Sequence, residues 1–244
     1  MANNDFRAEA AVNYEEKCLC VFVLDVSDSM RWKTDNGIVP IDEVNEGLQR
    51  FYNDIVDSHL KPCLEVAIIT FSNIITRKQQ PALVENFKMP VLTTGGTTAM
   101  VDAVNDAIAL VQARKDFYKN TGQSYHRPWI IMITDGLPDD NQNVNGLASR
   151  ISSDMAAKKY VFMPIGVEGA DMSVLRQIAG SIKSKKIGPI QLKGTVLTTF
   201  FETLSNSIGV ATADTEDGED NQIVGAVDDL ENDIDQMMNS LNLI

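Results

Sequence analysis

Residues 18–30, CLCVFVLDVSDSM, pass from an unbroken apolar run straight into a cluster of oxygen-bearing side chains. A half-exposed strand or an amphipathic helix would alternate apolar and polar positions. Cys18 to Leu24 does not, so it reads as a strand buried on both faces at the centre of a parallel sheet. Asp25, Ser27, Asp28 and Ser29 follow within five residues. The carboxyl end of a buried strand is where open α/β sheets place their ligands. Asp25, Ser27 and Ser29 are spaced i, i+2, i+4, so a loop curling over a small cation can turn all three inward. Carboxylate and hydroxyl oxygens suit a hard cation, and Mg²⁺ takes one or two carboxylates while keeping several waters.

The rest of the chain supplies the sheet this strand needs. Residues 42–59 carry apolar residues at Val44, Leu48, Phe51, Ile55 and Val56, which predicts an amphipathic helix. LEVAIITFS, 64–72, predicts a second strand, and NIITRKQ, 73–79, follows so closely that it predicts an antiparallel hairpin partner at the sheet edge. After a loop over 81–96, a helix is expected from Ala99 to about Tyr118. PWIIMITDG, 128–136, repeats the opening logic: an apolar strand ending in an acid. Helix 143–159, strand 160–167, helix 171–180, a weak strand over 185–192 and a helix over 198–210 complete the body. Strands alternating with helices imply a doubly wound, mostly parallel α/β sheet with one antiparallel edge strand and helices on both faces.

Three stretches converge on one edge of that sheet. Asp25, Ser27 and Ser29 follow the first strand, Asp135 follows strand 129–134, and the Gly95-Gly96-Thr97 turn precedes a helix. Right-handed crossovers place the carboxyl ends of parallel strands on one side, so these groups can meet there. The two glycines let the backbone come close and present Thr97. Thr94 and Thr98 lie on the same loop; Thr97 is preferred because it directly follows the glycine pair.

DVSDSM, TTGGTT and ITDGLPDD together resemble the three parts of the metal-ion-dependent adhesion site of von Willebrand factor type A domains. GIVPIDEVNEGL, RPWIIMITDG, VFMPIGV and TTFFETLSNSI extend the resemblance to the compact bacterial branch found with tellurium-resistance and stress-response proteins. The match covers roughly residues 17–210. It implies a domain of that type, with Ser27, Ser29 and Thr97 contacting a metal and Asp25 and Asp135 binding directly or through water. The implied ion is Mg²⁺ or Mn²⁺, ahead of Ca²⁺. The resemblance also implies an open coordination position that takes an Asp or Glu from a partner protein, and kinase or phosphatase modules as company. Where the family often has Gly between the two serines, this chain has Asp28. That carboxylate either points to solvent, tightens metal binding or repels an acidic ligand.

Other chemistries find less support. Gly95-Gly96 could cradle a phosphate, but no GxGxxG or GxxxxGK[ST] pattern is present. His59 and His126 lie in no motif, and neither serine has a recognisable His-Asp partner for nucleophilic catalysis. Cys18, Cys20 and Cys63 form no CxxC and read as small apolar residues. The expectation is therefore a protein-interaction module and not an enzyme. The alternatives are a Mg²⁺-dependent phosphohydrolase, for which only Arg31 and Lys33 stand near the motifs, or an assembly protein oligomerising through its tail. No apolar run is long enough to span a membrane, and MANNDFRAEA lacks a signal pattern, so a cytoplasmic protein is expected.

The formal charge of −13 is concentrated at one end. From Asp214 onward there are ten acidic residues and no Lys or Arg, which leaves the body near neutral. Neither part offers the basic footprint of a nucleic-acid binder. The expected organisation is a lead-in over 1–16, the domain over 17–210, an acidic linker over 211–222 and an amphipathic heptad helix over 223–244. In that helix Ile223, Val227, Leu230, Ile234, Met237, Leu241 and Ile244 are spaced 4, 3, 4, 3, 4, 3. So short a helix needs a partner surface. Its acidic positions disfavour two copies side by side, so the sequence predicts docking to a basic, apolar groove on a second protein, or else on the chain's own body. A linker carboxylate is a further candidate for the open metal position.

Overall fold

The apolar run at the head of the chain is the central strand of the sheet. In a computed structural model that describes residues 15–135, 137–193, 196–212, 218–241 and 243, β1 (Cys18–Asp25) is buried along its whole length. It lies between two parallel neighbours, β2 (Leu64–Phe71) and β4 (Trp129–Thr134). Outside them run β3 (Ile75–Leu83) on one side, and β5 (Val161–Gly166) and the two-residue β8 (Ile190–Gln191) on the other. The order β3-β2-β1-β4-β5-β8 has only β3 antiparallel. Most of the lead-in, residues 1–14, lies outside the described residues.

The sheet has its two halves wound in opposite directions from β1. The chain leaves β1 through α1 (Pro40–Val56) to β2, turns back as β3, then crosses through α2 (Met100–Thr121) to β4 on the far side of β1. Helices α1, α5 (Val196–Ala211) and α6 (Glu219–Ser240) pack side by side on one face. Helices α2, α3 (Val144–Ala156) and α4 (Met172–Ile178) cover the other. Alternation along β1 serves both faces. Phe22 meets Phe51 of α1 edge-on with ring centroids 5.1 Å apart, and Phe201 of α5 at 5.5 Å. Gly47 makes that junction possible, since a Cβ there would lie 2.2 Å from the Phe201 ring.

Two expectations about secondary structure are corrected. The edge strand does not stop at residue 79: β3 continues to Leu83, past Pro81, because an edge strand tolerates a residue that cannot donate to the ladder. The stretch 185–192 is not one strand. Lys185–Lys186 (β7) pairs antiparallel with Ser181–Ile182 (β6) in a separate ribbon, and only Ile190–Gln191 joins the main sheet beside β5. Gly188 and Pro189, between the two pieces, end one pairing before the other begins.

The tail also differs from expectation. Ala211 still belongs to α5, and α6 begins at Glu219, inside the stretch read as a linker; residues 213–217 lie outside the described residues. The seam residues Ile223, Val227, Leu230 and Ile234 are buried, together with Ala226, while Leu241 is exposed. They pack on α5, so the second of the two docking alternatives, the chain's own body, is the one the structure displays. The helix lacks bases of its own, but the body supplies them. Arg127 binds Glu219 at 2.7 Å and Asp220 at 2.6 Å, Lys158 binds Asp220 at 2.7 Å, and Lys185 bridges Asp228 and Glu231 at 2.6 and 2.7 Å. Lys183 adds a hydrogen bond to Asn221.

Candidate functional site

Strand order brings the three polar stretches together. β1 and β4 are neighbours, and the direction of winding reverses between them, so their carboxyl ends flank the crevice where doubly wound sheets bind ligands. Asp25 is the last residue of β1 and Asp135 the first beyond β4. The β1–β4 register pairs Leu24 with Ile133, which brings Asp25 level with Thr134.

From there a continuous hydrogen-bonded chain runs outward. The Asp25 carboxylate is fully buried and accepts from the Ser27 backbone N–H at 2.8 Å and from the Thr134 hydroxyl at 2.6 Å. The Ser27 and Ser29 hydroxyls are 3.0 Å apart, and Ser29 donates to Asp135 Oδ1 at 2.9 Å. Ser27 is buried whereas Ser29 is exposed, so the cluster opens to solvent at its outer end. Four of the expected residues, Asp25, Ser27, Ser29 and Asp135, thus form one connected group.

Thr97 is placed differently. Its hydroxyl donates to Asp139 Oδ2 at 2.9 Å rather than to a member of that group. The loop that carries it is nonetheless stitched to the first: Asp28 N–H donates to Gly96 O at 3.0 Å and Gly95 N–H to Val26 O at 2.7 Å. Gly96 has φ +94° and presses against Asn73, whose Oδ1 would lie 2.1 Å from a Cβ, so this position requires glycine. Gly95 has open space around it. Asp139 also accepts from Thr98 N–H and donates its own N–H to Thr98 O, clasping the two loops. Asp28 turns away, pairing with Arg31 at 3.2 Å.

Sequence reasoning passed over two contributors here. Thr134 was hidden because its role depends on strand register. The signal for Asp139 was the Asp139-Asp140 pair that closes ITDGLPDD, four residues beyond Asp135.

The electrostatics are one-sided. Burial pushes the Asp25 carboxyl up to about 6, despite hydrogen bonds from Ser27 and Thr134, and Asp135 adds a smaller push. Burial also raises Asp135, against the hydrogen bond from Ser29. Among the described residues no Lys, Arg or His forms an ion pair with either acid. Nor, among them, is there a group of three or more His, Cys, Asp or Glu side chains placed to hold a metal ion. A cation at this edge would depend on the hydroxyls as much as on the two carboxylates. That oxygen-only donor set fits a hard divalent ion.

No family model matches the chain, and no curated protein matches it. Solved structures do. The D319A mutant of the PilB minor pilin from Streptococcus sanguinis aligns with 14% identity and a TM-score of 0.58, covering 82% of this chain and 63% of that one. The pilus adhesin SpaC from Lactobacillus rhamnosus GG aligns with 14% identity and a TM-score of 0.57, covering 80% and 31%. The ArnB paralog VWA2 from Sulfolobus acidocaldarius aligns with 19% identity and a TM-score of 0.51, covering 80% and 46%. This chain therefore spans less than two thirds of the length of each. At these identities the likeness speaks to the fold, which is of the von Willebrand factor type A kind. Among the described residues no helix is long and apolar enough to cross a membrane.

Proposed function

We propose that the carboxyl edge of β1 and β4 holds a divalent cation, Mg²⁺ or Mn²⁺, and that a carboxylate from a partner protein completes its coordination. Asp25, Ser27, Ser29 and Asp135 would hold the ion, with Thr97 contributing once released from Asp139. The bound ion supplies a positive centre at a solvent-open position. The chain's own residues orient the ligands: Thr134 and the Ser27 N–H fix Asp25, and the Gly96–Asp28 contact fixes the two loops. The observation that carries this reading is the connected group of two carboxylates and two hydroxyls with no basic counter-charge among the described residues.

On this reading the protein is a metal-dependent interaction module, and a stress-response or tellurium-resistance-like signalling setting extends the sequence resemblance. Kinase or phosphatase modules are its candidate partners. The same reading sets the phosphohydrolase alternative second. Arg31, two residues beyond Ser29, is engaged by Asp28 and lies over the Trp32 ring at 4.7 Å, which favours the interaction module over phosphoryl chemistry. The test is retention of partner proteins on immobilised full-length chain in Mg²⁺, in EDTA and with Ser29→Ala. Partners held only by the wild type in Mg²⁺ support the module. Metal-dependent hydrolysis of phosphate esters that disappears in Ser29→Ala would overturn it in favour of the enzyme.

A further inference from the structure

The same edge of the sheet carries apolar surface that the cation reading does not use. Trp32, Ile74 and Leu137 are 63%, 66% and 55% exposed. Each belongs to a different loop, and strand order distributes them around the hydroxyl–carboxylate group. Trp32 follows Ser29 in the loop after β1, Ile74 sits in the turn after β2 on one side, and Leu137 follows Asp135 after β4 on the other. Isolated exposed apolar residues are ordinary, but three around one polar group mark an interaction surface.

Trp32 and Ile74 sit on hydrogen-bonded turns. Trp32 N–H donates to Ser29 O at 3.0 Å, and its ring carries the Arg31 guanidinium. Ser72 N–H donates to Ile74 O at 3.1 Å while Ser72 O accepts from Ala99 N–H, tying that turn to the glycine loop. Leu137 lies between Asp135, bound by Ser29, and Asp139, bound to Thr97. A turn whose backbone is already ordered spares the loop-ordering cost of binding, which favours its use as a contact. Arg31 and Lys33, both exposed, flank Trp32 in the chain; Arg31 is paired with Asp28, and Lys33 adds positive charge at the rim.

We infer that the cation site is the centre of a wider face, and that this face takes a protein segment in which an Asp or Glu is flanked by large apolar side chains. The acid reaches the cation. Its apolar neighbours cover Ile74 and Leu137, and Trp32 between its two cations serves as the anchor, as aromatic residues do at interface hot spots. The inference rests on the cation reading and adds to it the chemistry of the partner.

The experiment measures binding of short fluorescent peptides to the full chain by anisotropy, in Mg²⁺ and in EDTA. The probes have a central Asp flanked by Leu, a central Asp flanked by Ser, and a central Asn flanked by Leu. In Mg²⁺ the Leu-flanked Asp peptide should bind about tenfold or more tightly than the Ser-flanked one, a ratio that two covered Leu side chains can supply. The Asn peptide should bind no better than background. The combined Trp32→Ser, Ile74→Ser and Leu137→Ser variant replaces exposed side chains only, so its thermal unfolding and Mg²⁺ titration should match the wild type while the ratio falls to about one. Equal binding of both Asp peptides, each still requiring Mg²⁺, would overturn the wider face and leave the cation site standing. Leu-flanked binding that persists in EDTA would contradict a single shared face. Failure of Mg²⁺ to distinguish Asp from Asn would sink the underlying cation reading itself.

Discussion

The carboxylates at the sheet edge and those on α6 have opposite surroundings. Glu219, Asp220, Asp228 and Glu231 are met by Arg127, Lys158 and Lys185. Burial raises the Asp220 carboxyl, but hydrogen bonds from Lys158 and Arg127 outweigh it and hold the group below its ordinary value. Asp25 and Asp135 meet hydroxyls and each other, and both are raised. A compensated acid cluster does structural work, fixing a helix in place. An uncompensated one carries a cost in the metal-free fold, which a bound cation would offset. Both regions look acidic in sequence, and only the placement of bases separates them.

The largest expected effect falls on the α6 seat. Leu230 is fully buried against the body. Leu230→Ala should destabilise the fold by about 2–5 kcal/mol in urea unfolding, as buried Leu truncations do, while leaving the metal titration unchanged. A loss below about 0.5 kcal/mol, the size of a surface change, would mean that α6 is not part of the body in solution.

Arg127 offers a sharper cut at the same region. Its side chain is nearly fully buried and receives two carboxylates. Arg127→Met keeps much of the packing but, among the described residues, leaves Glu219 with only the residue-127 backbone N–H and Asp220 with only Lys158. A cost of about 1–3 kcal/mol is expected, below that of a fully buried pair because both acids are partly exposed. Proteolysis within 218–241 should then precede unfolding of the sheet.

The two regions should respond oppositely to pH. Asp220 is depressed in the fold, so its contribution is present above its ordinary value near 3.8 and is lost as pH falls through the lower folded value. Asp25 is raised to about 6, so the metal-free fold is penalised above that pH and relieved as pH falls toward 4. The relief is at most about 3 kcal/mol, from a shift of roughly two units. Thermal unfolding in EDTA should therefore show stability rising from pH 7 to pH 5 and falling below pH 4. Excess Mg²⁺ should flatten the first rise, because it stabilises the ionised form. A curve insensitive to Mg²⁺ across pH 5–7 would count against the cation site.

Much of the fold was legible because its signals are local. The apolar runs at 18–24 and 129–134 end on acids, and an unbroken run of that kind has few homes other than a central parallel strand. The group of Asp25, Ser27, Ser29 and Asp135 followed from the shared direction of those strands. What sequence hid depends on distances the chain does not write down. Thr134 reaches Asp25 only through the β1–β4 register. Thr97 is drawn to Asp139 by a loop path that no periodicity encodes. The seam of α6 showed that the helix needs a surface. The bases that receive it, Arg127, Lys158 and Lys185, are scattered over the body and form no patch in sequence.

The smallest effect belongs to Thr97. Because its hydroxyl is already engaged by Asp139, Thr97→Val should weaken cation affinity less than Ser29→Ala does. Asp139→Asn, which loosens the clasp, should leave affinity within a few-fold of the wild type. If Thr97→Val abolishes binding while Ser29→Ala does not, the connected group has been misassigned.

The central contrast is tested most directly by calorimetric titration of the full-length chain with Mn²⁺ at neutral pH, beside the same titration of the combined Ser29→Ala and Asp135→Asn variant. Both altered side chains lie toward the outer end of the group, and Asp135→Asn removes a charge that burial disfavours, so in EDTA the variant should unfold at or slightly above the temperature of the wild type. The account predicts a single saturable site in the wild type and none in the variant. Saturable binding of equal strength in both would place the cation elsewhere, on the acids of α6 or another surface, and contradict it.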